Sequence, residues 1–208
     1  MGNFDEDYFH GRKGSNYSDY GNIDPIKKFR SIISFISKMK VSGRFLDAGC
    51  AFGFLVNEMK SHFGEVHGFD ISDYAIGKAR IRNSGVDLRV INLDDPLPYL
   101  NESFDCITAL DILEHTESFD ENLGKLTDKL KIGGYMIVST PLDAWPRKLF
   151  GFLDKDETHI SVPKEEDLRN MADKNNLRIV EEEKFATLPM HGRLPFVPAS
   201  IDLYMQKD

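Results

Sequence analysis

The amino-acid sequence predicts a doubly wound, three-layer α/β/α fold with a mostly parallel, seven-stranded sheet and an antiparallel edge strand. Short apolar runs alternate five times with segments of helical spacing, which is the pattern of a parallel α/β sheet. The first apolar run passes through a glycine turn, Gly49 to Gly53, directly into a helix. Two strand-like runs close the sequence, and we expect them to pair antiparallel at the sheet edge. The chain of 208 residues, 41% of them hydrophobic, is long enough for one buried core.

Individual elements have local signatures. Asp24-Pro25 is an N-cap followed by a first-turn proline, and it opens a helix whose apolar residues recur at spacings of three and four. Ser72 or Asp73 can cap a later helix, and Gly133-Gly134 is expected to break the one that begins near Phe119. The predicted strands span about 45–48, 65–70, 88–92, 104–110, 135–140, 177–185 and 201–205. The predicted helices span about 24–39, 54–63, 72–83, 119–132 and 164–175.

The chain divides into an N-terminal arm, residues 1–23, and a single domain, residues 24–208. The arm is polar and carries several aromatic residues, so it is either a loose leader or a segment whose tyrosines fold over a ligand. An irregular stretch at about 141–163 follows the fifth strand and is expected to lie on the substrate side. The Pro-rich connection 188–198 is predicted to be a loop at the rim of a pocket.

Composition excludes several classes of partner. A formal charge of -8 argues against nucleic-acid binding, which needs clustered lysine and arginine, and against attachment to an anionic membrane. Cys50 and Cys106 lack metal-site spacing, so no metal is expected and a reduced, cytoplasmic setting is predicted. The acidic N-terminus has neither the basic nor the apolar block of a signal peptide. Oligomeric state is left open.

Three acidic residues lie at or just after the ends of predicted strands: Asp47, Asp70 and Asp94. The carboxyl ends of parallel strands line one crevice, so these side chains should converge on one ligand. Asp70 lies about twenty residues beyond the glycine turn, where an acid accepts hydrogen bonds from ribose hydroxyls. Asp94 or Asn92 could accept from an adenine amino group. Asp47, inside the turn, would repel a pyrophosphate and attract an ammonium or a sulfonium.

The same stretches resemble the class I S-adenosylmethionine-dependent methyltransferases. Their first motif is similar to Leu46–Gly53, and their ribose-binding strand end is similar to Gly68–Ser72. The acid-aliphatic-Glu-His segment after their fourth strand resembles Asp111–His115, and Leu130–Gly134 is similar to their Leu-Lys-Pro-Gly-Gly turn. The resemblance implies a Rossmann-like methyltransferase fold, with S-adenosyl-L-methionine as cofactor and S-adenosyl-L-homocysteine as product. One departure is Ala51 at the usual second glycine, which we expect to be tolerated at negative φ.

The resemblance also implies roles for individual residues. Asp47 and the Gly49 backbone would hold the methionine amino group, and Asp70 the ribose hydroxyls. Ile71 would pack on the adenine, and Leu110 with Asp111 would lie near the sulfonium. The predicted cofactor-binding residues are Asp47, Ala48, Gly49, Cys50, Gly53, Asp70, Ile71, Asn92, Leu93, Asp94 and Leu110.

Methyl transfer from a sulfonium is an in-line displacement, so the protein mainly aligns the acceptor and excludes water. A general base helps when the acceptor is a hydroxyl and is dispensable for an amine or a thiolate. The candidates for this catalytic role are His115, His159 and Asp111, although the Glu114-His115 pair could instead only fix its loop. The candidates for binding a small-molecule acceptor are Tyr17, Trp145, Arg147 and His159.

The leading hypothesis is therefore an S-adenosylmethionine-dependent methyltransferase. A non-catalytic module that binds the same ligand is one alternative. A nicotinamide-dependent oxidoreductase is a second, although it would require an intact Gly-x-Gly-x-x-Gly that the sequence lacks. The identity of the acceptor, and the atom that is methylated, stay open because fold and cofactor do not fix them.

Overall fold

A computed structural model describes residues 4–12, 19–145, 156, 158–188 and 192–208. Within these residues the helices are α1 (Glu6–Phe9), α2 (Pro25–Lys28), α3 (Arg30–Met39), α4 (Phe54–Met59), α5 (Asp73–Arg82), α6 (Phe119–Lys129) and α7 (Glu165–Lys174). The strands are β1 (Arg44–Ala48), β2 (Glu65–Asp70), β3 (Asp87–Val90), β4 (Phe104–Leu110), β5 (Leu130–Pro141), β6 (Leu177–Leu188), β7 (Gly192–Pro195) and β8 (Ser200–Lys207). Short 3₁₀ turns lie at Tyr20–Asn22 and Leu113–His115.

The strands form one sheet in the order β3-β2-β1-β4-β5-β8-β6-β7. Strands β1 to β5 pair in parallel, and β8 lies antiparallel between β5 and β6. The mostly parallel, doubly wound arrangement is confirmed. Because the strand order reverses between β1 and β4, a crevice opens at their carboxyl ends.

The prediction of seven strands was wrong by one. The connection expected to be a loop contains β7, which pairs antiparallel with the end of β6. Prolines in this stretch favoured a loop, yet Pro195 is the last residue of an edge strand, where its missing N–H is tolerated. The final pair of strands, β6 and β8, is antiparallel as expected, but β8 lies inside the sheet.

Two predicted helix boundaries also need correction. The helix opened by Asp24 divides at Phe29 into α2 and α3, although the Asp24 side chain does cap it by accepting from the Lys27 N–H at 3.1 Å. Gly133 does not break a helix, because α6 ends at Lys129 and Leu130 is already extended. Gly133 instead lies within β5 at φ +78°.

The sheet is covered on both faces. Alternate residues of β1 enter different cores: Phe45 packs toward one face and Leu46 toward the other, and both are fully buried. This is typical of a central parallel strand. Helices α3, α4 and α5 cover the first face and bury Ile36, Leu55, Met59 and Ile76 against it. Helices α6 and α7 cover the second face and bury Leu123, Leu126 and Leu168.

Among the described residues, no helix combines the length and the apolar character needed to cross a bilayer.

Candidate active site

A cleft opens at the carboxyl ends of β1, β2 and β4. It encloses about 1000 Å³ when the solvent at its mouth is included, which is large enough for a nucleoside-sized ligand. Nine of the eleven predicted cofactor residues line it; Ala48 and Gly53 do not. The nine are Asp47, Gly49, Cys50, Asp70, Ile71, Asn92, Leu93, Asp94 and Leu110.

Ala48 and Gly53 lie behind the wall of the cleft. The Ala48 side chain is fully buried in the sheet core. Gly53 adopts φ +70° at the start of α4, and a Cβ there would lie 2.5 Å from Asn83 Nδ2. Its carbonyl accepts a hydrogen bond from that same amide at 2.9 Å. The glycine is therefore needed for close packing between α4 and α5.

Asp47 is the penultimate residue of β1, and its carboxylate is buried. Its Oδ1 accepts a hydrogen bond from Thr108 Oγ1 at 2.7 Å, across the register of β1 and β4. Burial raises the pKa of Asp47 to about 7; the Thr108 hydrogen bond lowers it, and the charge of Asp70 raises it further. A cationic group in the cleft would favour the ionised form of Asp47, so this position selects for a cation.

Asp70, at the end of β2, organises the glycine turn. Its two carboxylate oxygens accept the backbone N–H of Ala51 and of Ser72, each at 2.9 Å. Burial raises the pKa of Asp70, against the lowering effect of these hydrogen bonds. The turn is also held by Phe69, whose carbonyl accepts the N–H groups of Gly49 and Cys50 at 2.8 and 2.9 Å. Each Asp70 oxygen keeps a further lone pair for a hydroxyl.

The conformation of Ala51 differs from the expectation. It has φ +45°, in the left-handed region, rather than a negative φ. An L-residue pays a steric cost there of about 1–2 kcal/mol, so the turn keeps its glycine-like geometry although the glycine is absent. Gly49, at φ +75°, accommodates Ile112, whose Cδ1 would lie 2.7 Å from an added Cβ.

The wall after β3 presents Ile91, Asn92, Leu93 and Asp94 to the cleft. Asn92 Oδ1 accepts the Asp94 N–H at 3.1 Å, and Asp94 Oδ1 accepts from Asn122 Nδ2 at 2.7 Å. These bonds fix both side chains before any ligand binds. The wall therefore offers preorganised polar groups beside apolar surface, as an aromatic base requires.

The two histidines lie together at the other end of the site. The rings of His115 and His159 are 4.8 Å apart between centroids, and His115 lines the cleft whereas His159 stands behind it. His115 Nδ1 lies 2.8 Å from Thr158 Oγ1 and 3.2 Å from the Thr158 carbonyl. Burial lowers the pKa of His115, and the neighbouring His159 lowers it further. The imidazole is therefore held uncharged near neutral pH.

Asp111 also lines the cleft, at φ +53°, and its Oδ1 accepts from Ser139 Oγ at 3.3 Å. Glu114 is fully buried behind it. Glu114 Oε2 accepts from Thr140 Oγ1 at 3.2 Å, whereas Oε1 has no hydrogen-bond partner among the described residues. Burial raises the pKa of Glu114, and the charge of Asp111 adds to the rise.

Glu114, His115 and His159 each place one potential ligand atom within 4.8 Å of the others, so within the described ranges these three could hold a metal ion. No metal was expected from the sequence. The cluster escaped sequence analysis because His159 is distant in the chain from the adjacent Glu114-His115 pair.

The remaining predicted acceptor residues are less informative. Trp145 is 58% exposed and does not line the cleft. Tyr17 and Arg147 lie outside the described residues.

Sequence analysis missed several residues that line the cleft. Lys28 and Phe29, at the junction of α2 and α3, reach it from the N-terminal side. Phe4, Tyr8, Phe9 and Tyr20 of the arm line it as well. Sequence analysis raised the arm only as a segment whose tyrosines could fold over a ligand, and Tyr8 and Tyr20 do line the cleft.

The geometry agrees with three comparisons to known proteins. Residues 23–182 match the family described as "Methyltransferase domain". The chain is 26% identical over 134 residues to the ubiquinone biosynthesis O-methyltransferase of Chromobacterium violaceum, covering 62% of this chain and 56% of that protein. It is 34% identical over 139 residues to the protein of that name from Mesorhizobium japonicum, covering 58% and 55%. The matches thus span about half the length of these relatives.

Among solved structures, an S-adenosylmethionine-dependent methyltransferase from Clostridium acetobutylicum ATCC 824 superposes with a TM-score of 0.69 at 16% identity, covering 90% of this chain and 94% of that one. This likeness supports the fold.

The chain belongs to the methyltransferase-domain family. Residues 23–182 therefore form a methyltransferase domain, which supports S-adenosyl-L-methionine as the cofactor. This membership argues against the nicotinamide-dependent alternative. The buried carboxylates of Asp47 and Asp70 suit the cofactor's ammonium and ribose hydroxyls, so the residues present fit the group.

Proposed function

We propose that this enzyme methylates a hydroxyl oxygen of a small-molecule acceptor, with His115 as the general base. Two observations support the proposal: the relatives named above are O-methyltransferases, and a neutral imidazole lines the cleft. A base is useful for a hydroxyl, whose proton must leave as the oxygen attacks.

The cofactor-binding roles belong to the same proposal. Asp47 and the backbone of Gly49 hold the ammonium of the methionyl tail, and Asp70 accepts from the ribose hydroxyls. Ile71, Leu93 and the Asn92–Asp94 wall enclose the adenine. Leu110 and Asp111 are assigned to the part of the cleft that holds the sulfonium of the cofactor. Their shared position in one cleft supports these assignments.

The observation that carries the proposal is the direction of the hydrogen bonds that join Asp156, Thr158 and His115. Thr158 Oγ1 donates its only proton to Asp156, so it can only accept from His115. Nδ1 of His115 therefore carries the ring proton, and Nε2 has the free lone pair. Asp156 and Thr158 thus orient a base whose accepting atom is Nε2.

When bound, S-adenosylmethionine supplies a methyl carbon on a sulfonium, which the acceptor oxygen attacks in line as sulfur leaves as a neutral thioether. Nε2 of His115 takes the proton from the hydroxyl. His159, packed against His115, helps keep that imidazole uncharged before the proton arrives. The aromatic ring of Phe4 lies 5.6 Å from the His115 ring and shields this end of the cleft from water.

The acceptor class can be tested by supplying catechols, simple phenols, primary amines and thiols to the purified enzyme. Release of S-adenosylhomocysteine is measured, and mass spectrometry locates the new methyl group. We expect turnover with hydroxyl acceptors. Turnover restricted to amines or thiols would contradict the proposal.

The base can be tested separately with His115→Gln. Its turnover number on the best hydroxyl acceptor should fall by about 10²–10⁴-fold. His62→Gln, which changes a histidine outside the cleft lining, is the matched control and should retain activity.

A further inference from the structure

The cleft contains four acidic side chains and few positive charges. Asp47, Asp70, Asp94 and Asp111 all line it. Among the described lining residues, Lys28 is the only lysine or arginine. The methionyl tail of the cofactor is a zwitterion, so its carboxylate needs a positive or hydrogen-bonding partner in this acidic surrounding.

Four of the five backbone donors of the glycine turn are already engaged within the protein. The N–H groups of Gly49 and Cys50 already donate to the Phe69 carbonyl, and the Ala51 N–H donates to Asp70. The Gly53 N–H donates to the Cys50 carbonyl at 2.8 Å. The backbone donors that hold phosphate in dinucleotide-binding turns are thus engaged within the protein here.

Lys28 lines the cleft together with Asp47 and Asp111. Burial lowers the pKa of Lys28, whereas the charges of Asp111 and Asp47 raise it and so favour the cation. The Lys28 charge in turn favours the ionised form of Asp47. The Lys28 Nζ lies 4.8 Å from the centre of the Tyr20 ring, and this contact directs the side chain along the arm. Arg193, which shares a small side cavity with Lys28, forms an ion pair with the buried Asp202 and stacks on Phe185.

We propose that Lys28 binds the α-carboxylate of the cofactor's methionyl tail, next to the ammonium held by Asp47. The pair Asp47 and Lys28 then recognises the zwitterion through opposite charges. This lysine makes the site selective for nucleosides that carry an intact amino acid. The inference rests on the cofactor placement proposed above, but not on the identity of the acceptor or of the base.

The test compares two ligands by isothermal titration calorimetry: S-adenosylhomocysteine and 5′-methylthioadenosine, which lacks the amino-acid tail. For Lys28→Met, the Kd of S-adenosylhomocysteine should rise about 10- to 100-fold, the range for losing a charged hydrogen bond. The Kd of 5′-methylthioadenosine should stay within about twofold. Lys27→Met, which removes the exposed neighbouring lysine of α2, should change neither value.

An equal rise for both ligands in Lys28→Met would show that the residue shapes the cleft generally, and would overturn the inference. Unchanged binding of both, or a change only in the acceptor KM, would overturn it as well. Lys28→Arg keeps the charge and should preserve the preference for S-adenosylhomocysteine; loss of that preference would argue against charge recognition. Thermal unfolding of each ligand-free variant checks that it is folded.

Asp70→Asn separates this inference from the cofactor placement. If the cofactor placement is right, this variant binds both ligands more weakly, because both carry the ribose. If both ligands bind Asp70→Asn as they bind the wild type, the placement fails whatever Lys28 does.

Discussion

The carboxylate of Asp70 accepts the backbone N–H of Ala51 at 2.9 Å, so the end of β2 fixes the turn that follows β1. This bond forms while Ala51 holds a left-handed φ of +45°. Asp70, which we propose binds the ribose, and the glycine turn are thus one structural unit. A change at either residue should affect both the stability of the turn and the binding of the cofactor.

Ala51→Gly should stabilise the protein. Glycine adopts positive φ without the steric cost that an L-residue bears, although it also gains freedom in the unfolded chain and loses a buried methyl group. We expect a net increase of about 0.5 kcal/mol in the free energy of unfolding, from urea denaturation at constant m value. Ala48→Gly, in the interior of β1, should have the opposite sign. A decrease in Ala51→Gly would show that the methyl contacts outweigh the backbone strain.

The raised pKa of Asp47 makes stability depend on pH. Below about pH 4 the Asp47 carboxyl is protonated in both the folded and the unfolded protein, so it does not change the free energy of unfolding. Between about pH 4 and pH 7 the unfolded protein has lost this proton while the folded protein keeps it. The free energy of unfolding therefore falls as pH rises, and this decrease is complete above about pH 7. The magnitude is on the order of 4 kcal/mol at most, at 1.36 kcal/mol per pH unit.

Urea unfolding of the ligand-free protein between pH 4.5 and 7.5 measures this contribution. Asp47→Asn, which cannot ionise, should show a shallower decline than the wild type over that interval. Parallel curves for the two proteins would mean that Asp47 is ionised in the folded state throughout. Asp73→Asn changes an exposed acid in the first turn of α5 and should leave the slope unchanged.

The positions of the acids could be predicted from the sequence because parallel strands bring their carboxyl ends to one edge. A local pattern was enough to place Asp47, Asp70 and Asp94 around one cleft. The φ of Ala51 could not be predicted in this way. Alanine ordinarily avoids the left-handed region, and only the surrounding hydrogen bonds hold it there.

Contacts between distant parts of the chain were also beyond sequence reasoning. The Tyr8 hydroxyl meets Asp156 across 148 positions, and His115 meets Thr158 across 43. Lys28 lies at the cleft and ends α2, immediately before the first helix divides at Phe29. Periodicity alone predicts a continuous helix there, whereas the buried Phe29 leaves the helical conformation and separates α2 from α3.

The assignment of His115 as a base predicts a particular pH profile. Burial lowers its pKa, so the group should remain an active base below the ordinary titration range of histidine. In the wild type, kcat/KM should therefore fall only at a pH below the ordinary titration range of histidine. His115→Gln should lose this acidic limb together with most of its turnover. If the variant is slower but keeps the wild-type profile, His115 acts only through the structure of its loop.

Tyr8 should couple the N-terminal arm to the acceptor side of the cleft. Its hydroxyl donates to Asp156 Oδ2 at 2.8 Å, and its ring is 6% exposed. Phe9, the next residue, packs against Phe52 at 4.9 Å between ring centroids and lines the cleft. Removing the Tyr8 hydroxyl should therefore loosen the arm while leaving its aromatic packing in place.

For Tyr8→Phe we expect faster amide hydrogen exchange in residues 4–12 and a rise of about tenfold in the Kd of S-adenosylhomocysteine, since a hydrogen bond to a charged acceptor contributes about 1.5–3 kcal/mol. Tyr135→Phe, at a tyrosine in β5 that packs against Phe35 outside the cleft, is the control. Faster exchange in the arm with unchanged affinity would show that the arm lines the cleft without holding the cofactor. Unchanged exchange would show that the aromatic contacts alone fix the arm, because the hydroxyl bond is then dispensable for its position.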